Sequence, residues 1–237
     1  MKSVLLSILT MFVVAGIQGQ TAEEIVAKHI EASGGKEKWS GIKSMVLESS
    51  TEVMGNEMAS KTTVANGKSF RSESDFNGQQ IVQVVNEKSG WSINPFSGTG
   101  SPEAMPAEMY NSISEQIFLP DPLLDYQARG SKVTLEGKEK VGEVDAYKLK
   151  YTNSGNSETT FFIDPATHYV VRTLKKADVM GQEVTVTSDY SDYKKTEEGV
   201  VIPYTTNIDM GQFALTVKVN KVDFNTEIDP SLFEMPK

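Results

Sequence analysis

The side chains in this sequence that could hold a metal ion or act as a general base include only two histidines. His29 lies on the apolar face of a predicted helix and His168 in a predicted turn, and neither has the His-Glu-x-x-His spacing of a zinc site. We interpret His29 as a packing residue, because histidine is often found at intermediate burial. The sequence has no cysteine, which excludes disulfides, thiol catalysis and zinc–thiolate sites.

Paired carboxylates are the other arrangement that could do chemistry, since two acids can act as general acid and base or bind calcium. Asp121 with Asp125 and Asp189 with Asp192 form such pairs, but neither pair has the spacing of a known calcium loop. We interpret both pairs as solvated surface or turn-capping groups. The sequence also contains no Gly-x-Ser-x-Gly elbow, phosphate loop or dinucleotide fingerprint. It therefore predicts no catalytic residue, no metal and no cofactor, and we expect the protein not to be an enzyme.

The N-terminus has the layout of a secretory signal peptide. Lys2 provides a positive charge, residues 4–17 form an almost uninterrupted apolar run, and small residues cluster before a cleavage site after Gly19. The run is too short for a stable membrane span, and an uncleaved N-terminal anchor is the alternative. We predict a signal peptide at 1–19 and a mature chain, residues 20–237, that is soluble outside the cytoplasm.

The charge balance of the chain argues against some classes of partner. The sequence has 23 Lys and Arg against 32 Asp and Glu, a net charge of −9, and loss of Lys2 with the signal peptide would make it more acidic. Nucleic acids and anionic membrane surfaces select for basic patches. We therefore expect no nucleic-acid partner.

Helical periodicity is present in two segments of the mature chain. The first covers residues 21–33, where Thr21 and Glu24 have the spacing of a capping box. The second covers residues 106–119 and is ended by Pro120. These two segments are the helices available to cover a sheet.

Most of the remaining sequence alternates apolar and polar residues with a period of two, as strands do. Clear examples are residues 70–76, 147–151 and 184–190, and Asn77-Gly78 is a strong hairpin signal. Counting each turn signal once predicts about ten or eleven strands, joined mainly by short hairpins.

This pattern predicts an α+β fold with one large curved antiparallel sheet. An up-and-down strand order produces a wide, curved sheet. One of its faces is apolar and must be covered, so we expect two or three helices to pack across the concave face. There is no linker and no shift in composition, which favours a single domain over residues 20–237.

Several stretches, in order along the chain, resemble the LolA-like family of outer-membrane lipoprotein-sorting proteins, especially its Bacteroidetes-type members. Each stretch alone is mostly a turn or a strand end, and the ordered set is what carries the resemblance. The stretches are EASGGKEKW at 31–39 with IKS at 42–44, GWSINPF at 90–96, FIDPAT at 162–167, YSDY at 190–193, GVVIP at 199–203 and DPSLFEMP at 229–236.

The resemblance implies an unclosed barrel whose hydrophobic concave surface, capped by helices, receives acyl chains. It implies a periplasmic carrier of lipoproteins or another hydrophobic lipid, with partner proteins at the inner and outer membranes. The superfamily that the chain resembles also includes lipoprotein receptors, glycolipid carriers and envelope-stress sensors. An envelope sensor or interaction module that binds a protein partner with the same sheet is therefore the alternative.

We predict that the ligand contacts the apolar phase of the strands and the apolar face of the second helix. The opposite strand phase is the alternative. The predicted binding residues are Met45, Leu47, Phe70, Phe76, Trp91, Met109, Ile113, Ile117, Tyr147, Leu149 and Phe161.

Overall fold

A computed structural model describes residues 20–53, 56–95, 100–179, 182–211 and 213–236. The predicted signal peptide, residues 1–19, lies outside the described residues, as does Phe96. Within the described residues the chain forms one antiparallel sheet of 13 strands with three α-helices.

The strands follow one another along the chain with short connections, except for residues 105–131 between β6 and β7, which contain one α-helix and two 3₁₀ helices. They are β1 (Ser44–Val53), β2 (Asn56–Ala65), β3 (Ser69–Phe76), β4 (Gln79–Asn86), β5 (Gly90–Ile93), β6 (Glu103–Ala104), β7 (Lys132–Val141), β8 (Val144–Thr152), β9 (Glu158–Ile163), β10 (Val170–Val179), β11 (Gln182–Lys195), β12 (Val201–Asp209) and β13 (Ala214–Phe224).

The strand order in the sheet is β6-β5-β4-β3-β2-β1-β13-β12-β11-β10-β9-β8-β7, so the first and last strands of the chain pair at its centre. The edges β6 and β7 do not pair with each other, and the sheet stays open. This confirms the predicted unclosed antiparallel sheet. The sequence predicted fewer strands because β6 has only two residues and β7 is polar at most of its positions.

The predicted hairpin signal at Asn77-Gly78 is confirmed. Both residues have positive φ, 55° and 80°, which is the conformation that a two-residue type I′ turn requires. The turn joins β3 to β4 in the register Phe76 opposite Gln79.

The α-helices are α1 (Ala22–Ala32), α2 (Lys36–Gly41) and α3 (Ala107–Ile113). The capping box at the start of α1 is confirmed, since Thr21 Oγ1 accepts from the Glu24 N–H at 3.2 Å and Glu24 Oε2 accepts from the Thr21 N–H at 3.2 Å. Helix α2 was not predicted separately.

The predicted helix at 106–119 is shorter in the structure. Helix α3 changes to a 3₁₀ helix at Ser114–Ile117. The Ser112 and Ser114 hydroxyls donate to backbone carbonyls within α3, a local competition that weakens α-helices. No helix in the described part of the chain is long and apolar enough to cross a membrane.

Helices α1 and α2 pack on the same face of the sheet, which we call the concave face. Ile25, Val26 and Ile30 of α1 contact a cluster that includes Leu149 and Phe161. A second cluster surrounds Trp39 of α2, and its members are Ile42, Val64, Leu119, Val200 and Ile202. These clusters close one part of the concave face to solvent.

The opposite, convex face is covered near β4 and β5 by the C-terminal segment. Phe233, in a 3₁₀ helix at Pro230–Phe233, packs with Val82, Val84 and Trp91. The indole N–H of Trp91 donates to the carbonyl of Phe233 at 3.0 Å. The sheet therefore buries apolar side chains on both faces at this edge.

Candidate functional site

Apolar side chains continue along the concave face beyond the clusters that the helices cover. In an antiparallel sheet, directly opposed residues lie on the same face. Leu47 is opposite Val222, which packs at the edge of the cluster around Trp39, and four positions further along β1 Thr51 is opposite Val217. Apolar side chains on this surface are partly buried, but they belong to no buried cluster.

We call this surface the apolar strip. Its residues come from β1, β11, β12 and β13. They are Leu47, Val184, Val186, Ile208, Leu215, Val217 and Val219.

The sequence assigned only Leu47 of this strip to the site. The alternation of Val184 with Val186 and of Leu215 with Val217 was visible in the sequence. What it could not show is that these residues lie near the middle of the sheet, away from the ends of the same strands that α1 and α2 cover.

The structure divides the predicted binding residues by sheet face. Trp91 is the only one of the predicted strand residues on the convex face, where it packs against the C-terminal segment. Met109, Ile113 and Ile117 lie on α3 and the 3₁₀ helix that follows it. The strand residues on the concave face are Met45, Leu47, Phe70, Phe76, Tyr147, Leu149 and Phe161.

Burial divides the concave residues further. Leu149 is 0% exposed and Phe161 is also buried, both in the cluster under α1. Leu47 and Phe76 are partly buried, and Met109 on α3 is 39% exposed. Leu47, Phe76 and Met109 therefore keep part of their surface exposed, whereas Leu149 and Phe161 are enclosed by other side chains.

Helix α3 is held across the concave face from both sides. On one side the Tyr110 hydroxyl donates to the carbonyl of Asn86, at the end of β4, at 3.0 Å. On the other side Asn153 Nδ2 donates to the carbonyl of Asn111 at 3.1 Å, and Lys175 Nζ donates to the carbonyl of Ser112. The helix therefore bridges the two halves of the open sheet.

A polar cluster lies beneath the end of this bridge. The Tyr151 hydroxyl donates to Glu115 Oε2 at 2.8 Å and lies 2.9 Å from Ser131 Oγ. Arg129 Nε is 3.6 Å from the same Glu115 oxygen. Burial, followed by the hydrogen bond to Glu115, raises the pKa of the Tyr151 hydroxyl above its usual value, so it stays protonated. Burial lowers the pKa of Lys175, while the charge of Glu115 acts in the opposite direction.

A second polar cluster joins α1 to the sheet and brings together residues that the sequence left apart. The ring of buried His29 places Nε2 2.8 Å from Asp121 Oδ2 and Nδ1 2.9 Å from the carbonyl of His168. Both neighbours are acceptors, so both ring nitrogens donate and the ring is the charged imidazolium. Asp121 also caps a turn, since its Oδ1 accepts from the Leu123 N–H at 2.8 Å.

This arrangement makes part of the stability depend on the charge of His29. Burial acts to lower the pKa of His29, but the Asp121 carboxylate and the two hydrogen bonds outweigh it, and the pKa is raised above 6.5. A raised pKa gives stability that is complete below the unfolded-state pKa and is lost as the pH rises through the folded-state pKa. We expect urea unfolding between about pH 5 and about pH 9 to show this loss, and His29→Gln to remove it. An equal pH dependence in His29→Gln would contradict the assignment.

The sequence matches no protein-family model and no curated protein. Its structure does match solved structures. A DUF1329 family protein from Desulfovibrio piger is 14% identical, with a TM-score of 0.57, and the match covers 90% of this chain and 97% of that one.

Two further matches carry the name that the sequence suggested. A putative outer membrane lipoprotein-sorting protein domain from Vibrio parahaemolyticus is 12% identical over 90% of this chain and 97% of that one, with a TM-score of 0.56. A LolA superfamily protein from Nitrosomonas europaea is 11% identical over 91% and 98%, with a TM-score of 0.57. The chain therefore has the LolA-like fold. At these identities the likeness concerns the fold alone.

Proposed function

We propose that this chain of LolA-like fold is a periplasmic carrier that binds the acyl chains of lipoproteins or another hydrophobic lipid, for sorting to the outer membrane. The observation that carries the proposal is the apolar strip, a concave apolar surface that α1 and α2 leave uncovered. A LolA superfamily protein and a putative lipoprotein-sorting domain share the fold. Partner proteins at the inner and outer membranes would supply and receive the cargo.

Physical chemistry favours this use of the surface. An acyl chain that leaves a membrane exposes its methylenes to water, and each methylene that is buried again contributes about 0.8 kcal/mol. Three aliphatic side chains of the apolar strip lie together, since Leu215 and Val217 share a face of β13 and Ile208 of β12 is directly opposite Leu215. Binding of this kind needs no covalent step, metal or cofactor.

The test is native mass spectrometry of the mature protein purified from the periplasm of an expressing cell, with lipid extraction of the co-purifying material. We expect a stoichiometric acylated species. Val217→Asp should remove it, because an ionised carboxylate in the strip would lose its hydration against an acyl chain. Val217→Thr, which keeps the side-chain shape, should weaken it.

The matched control is Thr216→Asp, which adds the same charge at the neighbouring position on the convex face. It should retain the ligand. Thermal unfolding of each variant separates loss of binding from loss of fold. If the purified protein has a ligand-free mass and does not bind added lipid or lipopeptide, the carrier function is rejected and the protein-binding module is favoured.

A further inference from the structure

Lys175 is a cation on the apolar concave face. It lies on β10 directly opposite Val186 of the apolar strip on one side and Thr159 of β9 on the other. Its neighbour Lys176 points to the convex side, where it is 73% exposed and pairs with Glu183 at 2.7 Å. A lysine among partly buried aliphatic residues is uncommon, because burial of an ammonium group is unfavourable unless a partner stabilises the charge.

The charges around Lys175 do not balance. Lys175 Nζ donates to the carbonyl of Ser112, and the acidic group that acts on it is Glu115. Glu115 is already engaged by the Tyr151 hydroxyl and by Arg129. The buried Nε of Arg129 makes no hydrogen bond within the described residues. Glu115 is thus paired with Arg129, and Lys175 makes no ion pair within the described residues, which leaves one positive charge beside the apolar strip.

We propose that Lys175 binds the head group of the ligand, so that the carrier prefers amphiphiles with an anionic head, a carboxylate or a phosphate, over neutral ones. The inference rests on the proposed function and assigns its substrate class. The acyl chain would run from Lys175 across Val186 and Ile208 to Leu215. That path crosses three strand spacings, about 14 Å.

Partial burial strengthens this recognition. An ion pair in a site of reduced dielectric is less screened than one in water, and a hydrogen bond to an ionised group is roughly twice as strong as a neutral one. The excess of positive charge also stands out in a chain whose net charge is −9. An anionic head is thus attracted to Lys175 and repelled by the acidic groups that dominate the charge of the chain.

A purely structural role for Lys175 would give a different result. If the lysine only holds α3 through the carbonyl of Ser112, its substitution would change the affinity for every ligand by the same factor. Recognition of a head group would instead change the ratio of affinities for charged and neutral forms of the same chain. The ratio is therefore the quantity to measure.

The experiment is fluorescence titration with cis-parinaric acid and with its methyl ester at about pH 8, where a carboxylic acid in water is ionised. We expect the wild type to bind the acid about tenfold more tightly than the ester, a difference that corresponds to about 1.4 kcal/mol. Lys175→Met should bring the ratio close to one, and Lys175→Arg should keep it. Lys176→Met, the matched control on the convex side, should also keep it.

Displacement of the bound probe distinguishes the two sources of an anionic head. Lysophosphatidylglycerol should compete better than monoacylglycerol if phosphate is accepted, and palmitate better than methyl palmitate if carboxylate is accepted. Preference for either anion supports the proposal, and inorganic phosphate alone should not displace the probe.

The outcomes separate this inference from the function on which it rests. Equal binding of acid and ester by the wild type would overturn head-group recognition and leave the carrier in place, and this needs no variant. An equal loss of both affinities in Lys175→Met would show a tether and also overturn it. Binding of neither ligand would overturn the carrier itself.

Discussion

Replacing Trp39 with alanine is expected to lower the free energy of unfolding by about 3–5 kcal/mol, the range for large aromatic residues in cores. Trp39 is 1% exposed, and its ring packs edge-on against Phe224 with centroids 6.2 Å apart. Its indole N–H donates to the carbonyl of Ser33 at 3.1 Å. The substitution would leave a cavity between α2 and the centre of the sheet, and urea unfolding measures its effect.

Trp39→Phe is the matched control for this prediction. It keeps an aromatic ring but removes the indole N–H, and the Ser33 carbonyl would still accept from the Val201 N–H at 2.8 Å. The hydrogen bond lost in the phenylalanine variant is worth about 0.5–1.5 kcal/mol, so this variant should lose less stability than the alanine variant. An alanine variant as stable as the wild type would contradict the placement of Trp39 in the cluster that joins α2 to β1 and β13.

Replacing Leu149 with aspartate is expected to prevent folding altogether. Leu149 is 0% exposed, and it lies opposite Phe161 on one neighbouring strand and Leu135 on the other. An unpaired charge at such a position costs several kcal/mol, which is comparable to the whole stability of a typical domain, about 5–15 kcal/mol. The variant should accumulate as aggregate, or show no cooperative unfolding transition by circular dichroism.

The same substitution at Val217 should have a different result. Val217 lies on the same concave face but is only partly buried, outside the clusters under the helices. Val217→Asp should therefore fold and fail to bind lipid, whereas Leu149→Asp should fail at folding. A folded Leu149→Asp protein would show that the space beneath α1 is adaptable and open to ligand.

The sequence alone predicted the parts of this protein that depend on near neighbours. The capping box of Thr21 and Glu24 and the turn at Asn77-Gly78 are local, since each is set by residues at most three positions apart. The period of two predicted a large antiparallel sheet because side chains alternate along every strand. The resemblance of several short stretches led to the same fold.

The tertiary structure decided which residues share a face. At the β1–β13 pair the register shifts between Glu48 and Ser49, so Val222 and Val219 lie on the same face although their sequence phases differ. The alternation of apolar and polar residues in the sequence does not show where a bulge changes the face on which the following residues lie. Trp91 shows the same limit, because the sequence placed it among the ligand-binding residues, whereas its side chain packs with Val82, Val84 and Phe233 on the other face of the sheet.

The two polar clusters also depended on contacts between distant residues. His29 and Asp121 are 92 positions apart, and Tyr151 and Glu115 are 36 apart. The same histidine, aspartate or lysine side chain can be a solvated surface group or a buried hydrogen-bonding partner. Only the packing around it decides between these two roles. The sequence therefore determined the sheet, its turns and its helix start. Register, helix placement and burial determined which side chains form the apolar strip and placed Lys175 beside it.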